Sequence, residues 1–228
     1  AQQIKELSDN EEQLELLLES RRVEAVINLQ DELHPPENSG DCPICLDTIK
    51  HVNITTTRRF YCCGGWICTQ CGEERNANVK KKGFDEMLSG KCPLCREMLH
   101  TDDKETAAME LEHSNKGKAW AQVRIGIRFL DPTLAKESGL SFDKKKGWEL
   151  IERVADQGDS YAMFIKWAEY GDEEMSKLHY LKRAADLGLS DAQHNLAIFY
   201  NMNDEKEKCL HYITLAASQG HSKSYGVL

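Results

Sequence analysis

The chain has 228 residues, 40% of them hydrophobic and 29% charged, with a formal net charge of −9, so it accommodates one large or two small domains. No apolar run approaches the ~18 residues of a membrane-spanning helix, and with a mean hydropathy of −0.58 and a pI near 5.4 the sequence reads as soluble. The acidic balance argues against general binding to nucleic acid or to an anionic membrane.

Three segments of different character follow one another. Residues 1–40 hold 3 basic and 10 acidic residues. The first residue is Ala1 and not Met, so the natural start is expected to be missing. Residues 2–33 contain no Gly or Pro, and Ile4, Leu7, Leu14, Leu17, Leu18, Ala25 and Leu29 roughly follow helical spacing. The spacing predicts an acidic helical arm over 1–34. Pro35 and Pro36 stop it, because proline lacks the amide donor and biases its predecessor away from the helix. Residues 35–40 then form a linker. The arm is a candidate coiled coil for self-association, but phasing on Leu7, Leu14 and Leu17 puts Arg21, Glu24 and Asn28 in the seam. A solvated helix with a short apolar stripe is the competing reading.

Residues 41–100 contain eight of the nine cysteines. They fall as Cys42-Pro43-Ile44-Cys45, then Cys62, Cys63, Cys68 and Cys71, then Cys92-Pro93-Leu94-Cys95. Two residues between cysteines let a tight turn aim both thiolates at one ion, and zinc favours four such ligands in a closed tetrahedron. Eight cysteines suit two closed zinc sites. The repeated Cys-Pro-x-Cys pairs disfavour the alternative of a disulfide scaffold. Closed sites leave no open position for hydrolytic chemistry, so a zinc hydrolase is disfavoured. The run Lys80-Lys81-Lys82 reads as a solvated helix end, since a nucleic-acid surface wants a broader stripe with interleaved aromatics.

This spacing resembles the RING finger family over a quarter of the chain. The resemblance implies a cross-brace in which Cys42, Cys45, Cys68 and Cys71 hold the first zinc and Cys62, Cys63, Cys92 and Cys95 the second. The family usually separates its third and fourth ligands by one residue, whereas Cys62 and Cys63 are adjacent and Gly65 stands where His would be wanted. Cys63 fits the fourth position of all-cysteine variants. For the third, Cys62 stands first and His51 and His100 are alternatives. The resemblance further implies docking of a ubiquitin-charged conjugating enzyme, with Ile44 and Pro93 on the docking surface and Arg96 against the conjugated ubiquitin. No residue acts as a nucleophile; such a ligase works by positioning and ordering the thioester. The central helix is expected between Gly72 and Lys91, with Val79, Phe84, Met87 and Leu88 as its apolar residues. Trp66 is expected to pack between the metal lobes.

Residues 101–228 carry internal repeats. Gly158, Gly188 and Gly220 are spaced by 30 and 32 residues, each after a helical pattern with small residues, and Ala162, Ala192 and Ser224 follow at +4. An earlier unit has Gly117 and Ala121, and Phe129, Tyr170 and Tyr200 come eight residues past each Ala. A glycine that ends a helix permits the left-handed turn, and small residues let the two helices of a hairpin approach. Each unit buries its apolar face only by stacking on a neighbour. The pattern resembles SEL-one-like repeats, relatives of tetratricopeptide repeats, over residues 105–228. Gly147, Lys177 and Cys209 share one repeat slot, which makes Cys209 a core residue and not a reactive thiol. His179 and His211 also share a slot, read as surface or packing residues. The last unit stops at Leu228 without its second helix, so truncation or fraying of the array is expected there.

The expected architecture is mainly α: an N-terminal helix, a small two-zinc cross-brace RING-type module over 41–100, and an α-solenoid of helical hairpins over 105–228. The expected function is that of a RING-type ubiquitin-protein ligase acting without a covalent intermediate, whose repeats recruit protein substrates. A non-enzymatic zinc-finger and repeat adaptor is the alternative. Neither nucleic acid nor a membrane is expected as a partner, and the expected location is the cytoplasm or the nucleus.

Overall fold

The computed structural model describes residues 18, 21, 39–82, 90–100, 102–170 and 178–225. Leu18 and Arg21 are helical and exposed. The rest of the arm, and with it the coiled-coil expectation, lies outside the described residues, as do Phe84, Met87, Leu88 and Lys177 and the side chains of Val79 and Tyr170. The chain divides into two compact units, one spanning Asn38–Leu189 and the other including Ser190–Leu228. No described helix is long and apolar enough to cross a membrane.

The first unit opens with the cysteine-rich module. Strand β1 (Gly40–Asp41) pairs antiparallel with β2 (Thr48–Ile49). Strand β3 (Thr57–Arg59) pairs antiparallel with β4 (Trp66–Cys68), which runs directly into helix α1 (Thr69–Lys82). Lys80–Lys82 form the end of that helix. Strands of two and three residues do not hold themselves together. The buried core is small: Phe60, Ile67 and the side chains of Cys42, Cys68, Cys71 and Cys92, with Ile49, Trp66, Leu94 and Leu99 packed against them. Sulfur therefore makes up much of the interior, and a core this small calls for a further constraint such as a metal.

The remainder of this unit is helical: α2 (Asp103–Asn115), α3 (Ala119–Leu130), α4 (Pro132–Glu137), α5 (Lys144–Asp156), α6 (Ser160–Tyr170) and α7 (Leu178–Asp186). Aspartates cap α2, α4 and α5. Asp102 accepts from the amides of Lys104 and Glu105, Asp131 from Thr133 and Leu134, and Asp143 from Lys146, which satisfies amide donors that a helix start leaves unpaired. The first repeat interval is 41 residues because α4 and its connections are inserted between the first two hairpins. Helices α3 and α5 cross at Gly126 and Gly147, where a Cβ on Gly147 would stand 2.9 Å from the Gly126 carbonyl oxygen. Buried Ile125, Phe129, Ile151 and Val154 fill the space beside the crossing.

The second unit contains α8 (Ser190–Met202), α9 (Lys206–Ser218) and α10 (Ser222–Tyr225). Helices α8 and α9 bury Leu196, Ala197, Ile213, Ala216 and Ala217, and Tyr200 stacks on Tyr212 at 5.7 Å. Cys209 is half-buried.

The four repeat turns are alike in detail. Gly117, Gly158, Gly188 and Gly220 have φ of +75°, +94°, +80° and +83°, a region that side chains with a Cβ rarely adopt. The amide following each glycine bonds back to a carbonyl five residues earlier: Lys118 to His113, Asp159 to Val154, Leu189 to Ala184 and His221 to Ala216. This is a left-handed helix cap that satisfies otherwise orphaned carbonyls. The small residue four places on is buried each time, as Ala121, Ala162, Ala192 and Ser224. The repeat array is thus a mainly helical architecture of the α-solenoid kind.

Candidate metal centres

The first and last cysteine pairs sit on two copies of one local structure. Gly40-Asp41-Cys42-Pro43-Ile44-Cys45-Leu46-Asp47 and Gly90-Lys91-Cys92-Pro93-Leu94-Cys95-Arg96-Glu97 align throughout. In the first, the Cys42 amide donates to the Asp47 carbonyl and the Leu46 amide to the Cys42 carbonyl, both at 2.9 Å. In the second, Cys92 donates to Glu97 at 2.7 Å and Arg96 to Cys92 at 3.0 Å. Leu46 and Arg96 take φ of +67° and +68°. The β1–β2 pairing closes the first knuckle and a Lys91–Met98 bridge the second. This eight-residue self-match at an interval of 50 was available in the sequence. Sequence reasoning registered only its Cys-Pro-x-Cys part.

The remaining four cysteines come from the β3–β4 hairpin and the start of α1. Cys68 ends β4 and Cys71 lies in the first turn of α1. Cys62 and Cys63 lie in the hairpin turn, closed by the Gly64 amide on the Phe60 carbonyl and the Phe60 amide on the Gly65 carbonyl, both at 2.8 Å. Leu94 of the second knuckle packs on Gly65, so a Cβ there would require the Leu94 side chain to shift.

These elements gather the sulfurs into two quartets. Cys42, Cys45, Cys68 and Cys71 form one and Cys62, Cys63, Cys92 and Cys95 the other, with all sulfurs of a quartet within 4.8 Å of one another. Among the described residues no other group of His, Cys, Asp or Glu has this arrangement. Individual separations are 3.8 Å for Cys45–Cys68, 3.9 Å for Cys63–Cys92 and 3.4 Å for Cys62–Cys95. A tetrahedron of sulfurs about 2.3 Å from a central zinc has edges of about 3.8 Å, whereas a disulfide would bring two sulfurs to about 2.05 Å. All nine cysteines are free. The quartets therefore fit a metal ion and not a disulfide pattern.

The local electrostatics agree. Burial works to raise the Cys42 thiol, but the backbone amides of Cys68, Cys45 and Ile44 outweigh it and bring the group down to about 6. Cys92 is also lowered: burial opposes, and the amides of Cys95 and Leu94 prevail. Cys62, Cys63 and Cys71 are pushed up, first by burial and then by the sulfurs around them. Peptide dipoles thus favour the thiolate at Cys42 and Cys92, while burial and crowded sulfurs disfavour it at Cys62, Cys63 and Cys71.

Ile44 and Leu46 project from the first knuckle, 51% and 75% exposed. Pro93 is half-buried and Arg96 exposed on the second. His51 and His100 stand outside both quartets: the His51 ring covers Gly188, and His100 pairs with Glu105. His179 and His211 lie beside their own neighbours Tyr180 and Tyr212.

The module is seated on the repeats of its own unit. Tyr61 stacks on Trp120 of α3 with ring centroids 6.3 Å apart. The Arg59 guanidinium lies 5.3 Å from the Trp120 ring and donates to the Gly64 carbonyl at 2.6 Å. Arg124 lies 4.7 Å from the Tyr61 ring while pairing with fully buried Glu110, which Arg128 also contacts at 2.7 Å. Asn53 donates to the Gly188 carbonyl at 3.2 Å.

No protein-family model matches the chain, and no curated protein matches it. Among solved structures it is similar to a Sel1 repeat protein from Oxalobacter formigenes, 18% identical with a TM-score of 0.46, covering 55% of this chain and 54% of that one. It is also similar to a protective antigen of uropathogenic Escherichia coli that displays an SLR fold, 21% identical with a TM-score of 0.44, covering 66% of this chain and 34% of that one. An immunity protein from Pseudomonas aeruginosa is 19% identical with a TM-score of 0.44, covering 61% of this chain and 55% of that one. The chain thus spans between a third and just over half the length of these proteins.

Proposed function

We propose that the chain is a two-zinc, RING-type ubiquitin-protein ligase. The observation that carries this reading is the interleaving of the sulfur quartets: the first knuckle pairs with Cys68 and Cys71, and the second reaches back to Cys62 and Cys63. Cys42, Cys45, Cys68 and Cys71 hold one zinc and Cys62, Cys63, Cys92 and Cys95 the other. Each zinc is structural. It neutralises clustered thiolates and fixes the knuckles, and four protein ligands leave it no open position. The knuckles then present Ile44 and Pro93 to a conjugating enzyme and Arg96 to the ubiquitin it carries. A guanidinium has donors for two carbonyl acceptors at once. The repeats recruit the protein to be modified.

A non-enzymatic adaptor is the second reading. The seating of the module on its own repeats favours it, since a rigid platform needs no conjugating enzyme.

One set of measurements separates the two: zinc content, conjugating-enzyme binding and discharge of ubiquitin to lysine, for the wild type, Ile44→Ala and Arg96→Ala. Neither residue is a ligand, so both variants keep two zinc ions. Ile44→Ala removes an apolar contact at an interface centre, worth about 1–2 kcal/mol, so docking weakens about ten-fold. Arg96→Ala leaves docking intact and slows discharge, because its contacts matter in the ordered, reactive state. A wild type that accelerates discharge with no conjugating enzyme of a broad panel leaves the adaptor standing. Variants as active as wild type place the working surface elsewhere.

A further inference from the structure

The contacts between module and repeats follow a register. Trp120 lies three residues past Gly117, Asp159 directly follows Gly158, and the third turn is Gly188 itself. Tyr61 and Gly64 meet Trp120. Burial disfavours the charges of both Arg59 and Asp159, lowering the first and raising the second, and each pulls the other back toward its charged form. Asn53 and His51 close on Gly188. Residues 59–64 of the module thus meet Trp120 beside the first turn and residues 51 and 53 meet the turn at Gly188, with Arg59 also within the electrostatic reach of Asp159.

We infer that this row of glycine turns is a docking surface whose occupant is the chain's own segment 51–64, and that the metal of the second centre controls the docking. The segment contains two proposed ligands of that centre, Cys62 and Cys63, flanked by the docking residues Tyr61 and Gly64. The turn that carries the sulfurs also carries the ring stacked on Trp120. Without its ion this turn loses the constraint that aims Cys62 and Cys63 at the second knuckle, and Tyr61 and Gly64 leave Trp120. By linkage, metal binding then stabilises the first repeats, although no repeat residue is a ligand. The inference rests on the zinc reading above.

Hydrogen exchange on the full-length chain tests it, with zinc content measured on the same samples. Chelation is expected to lower protection in α2, α3 and the turn at Gly188, by about 5- to 150-fold, the usual range of coupling between sites. Trp120→Ala, with both zinc ions bound, is expected to show the lowered protection in α2 and α3 before any chelator is added, and no further fall there afterwards. Trp120→Phe keeps an aromatic face for Tyr61 and Arg59, and restores the response if the stacking carries it. This guards against a general packing defect in the alanine variant. A zinc-loaded wild type whose response stays within residues 41–100 overturns the coupling and leaves the zinc reading intact. So does a Trp120→Ala chain that responds as wild type does. A chain that binds no zinc overturns both.

Discussion

Cys62 and Cys63 are neighbours, and neighbouring side chains on an extended strand point to opposite faces. Their sulfurs share a quartet because both stand in the turn between Phe60 and Gly65 and not on a strand. Replacing either with serine substitutes a hydroxyl for a thiolate ligand, so Cys62→Ser and Cys63→Ser should each lose one zinc by elemental analysis. Retention of both ions by Cys62→Ser alone would place a different third ligand in the second centre. Gly147 is the other residue whose size decides something. Alanine there gains about 1 kcal/mol of helix propensity, but its Cβ would stand 2.8 Å from Leu130 and 2.9 Å from a backbone oxygen of α3. Overpacking of this kind costs about 1–3 kcal/mol. Gly147→Ala should therefore lower the midpoint of thermal unfolding, despite being a favourable change in an isolated helix.

The repeat turns were the most legible elements, and for a physical reason. Only glycine enters the left-handed region freely, so a helical pattern ending in Gly marks a helix end wherever it recurs, as at Gly158, Gly188 and Gly220. Helix α4 left no such mark, because six residues are too few to show a period. The module's strands, two or three residues long, cannot display alternation either. At the last turn, α10 is held by polar contacts. Ser224 Oγ lies 3.0 Å from His194 Nδ1 and 2.9 Å from His221 Nδ1. The hydroxyl donates to one ring nitrogen and accepts from the other, so one imidazole must stay neutral. His194 is lowered from its ordinary 6.5 by burial first, and then by His221 and Lys223, against the opposing pull of Asp191. A depressed histidine favours the fold while neutral. The stabilisation is full above pH 6.5 and falls away as the pH drops toward the lower folded value. Amide protection in α10 should therefore weaken below about pH 6.5, and His194→Gln should remove that acid dependence.

At the scale of the molecule, the membership of the two quartets was legible only through the resemblance to a known zinc module. Spacing alone pairs cysteines that are close in sequence and says nothing of which pairs join. The seating of the module was not legible at all. Tyr61 and Trp120 are 59 residues apart, and a single aromatic contact creates no period to read. The small module core predicts what chelation does first. With sulfur as much of its interior, residues 41–100 should lose their structure, while the repeats, which bury their own apolar faces, keep most of the far-ultraviolet helical signal.

The crossing of the two quartets along the chain has a topological outcome. A protease cut anywhere between Lys82 and Gly90 leaves Cys62 and Cys63 on one fragment and Cys92 and Cys95 on the other. With its ion in place, the second centre would then be the rivet between two polypeptides. A nicked protein of this kind should run as a single species on a sizing column and fall into two halves only when a chelator is added.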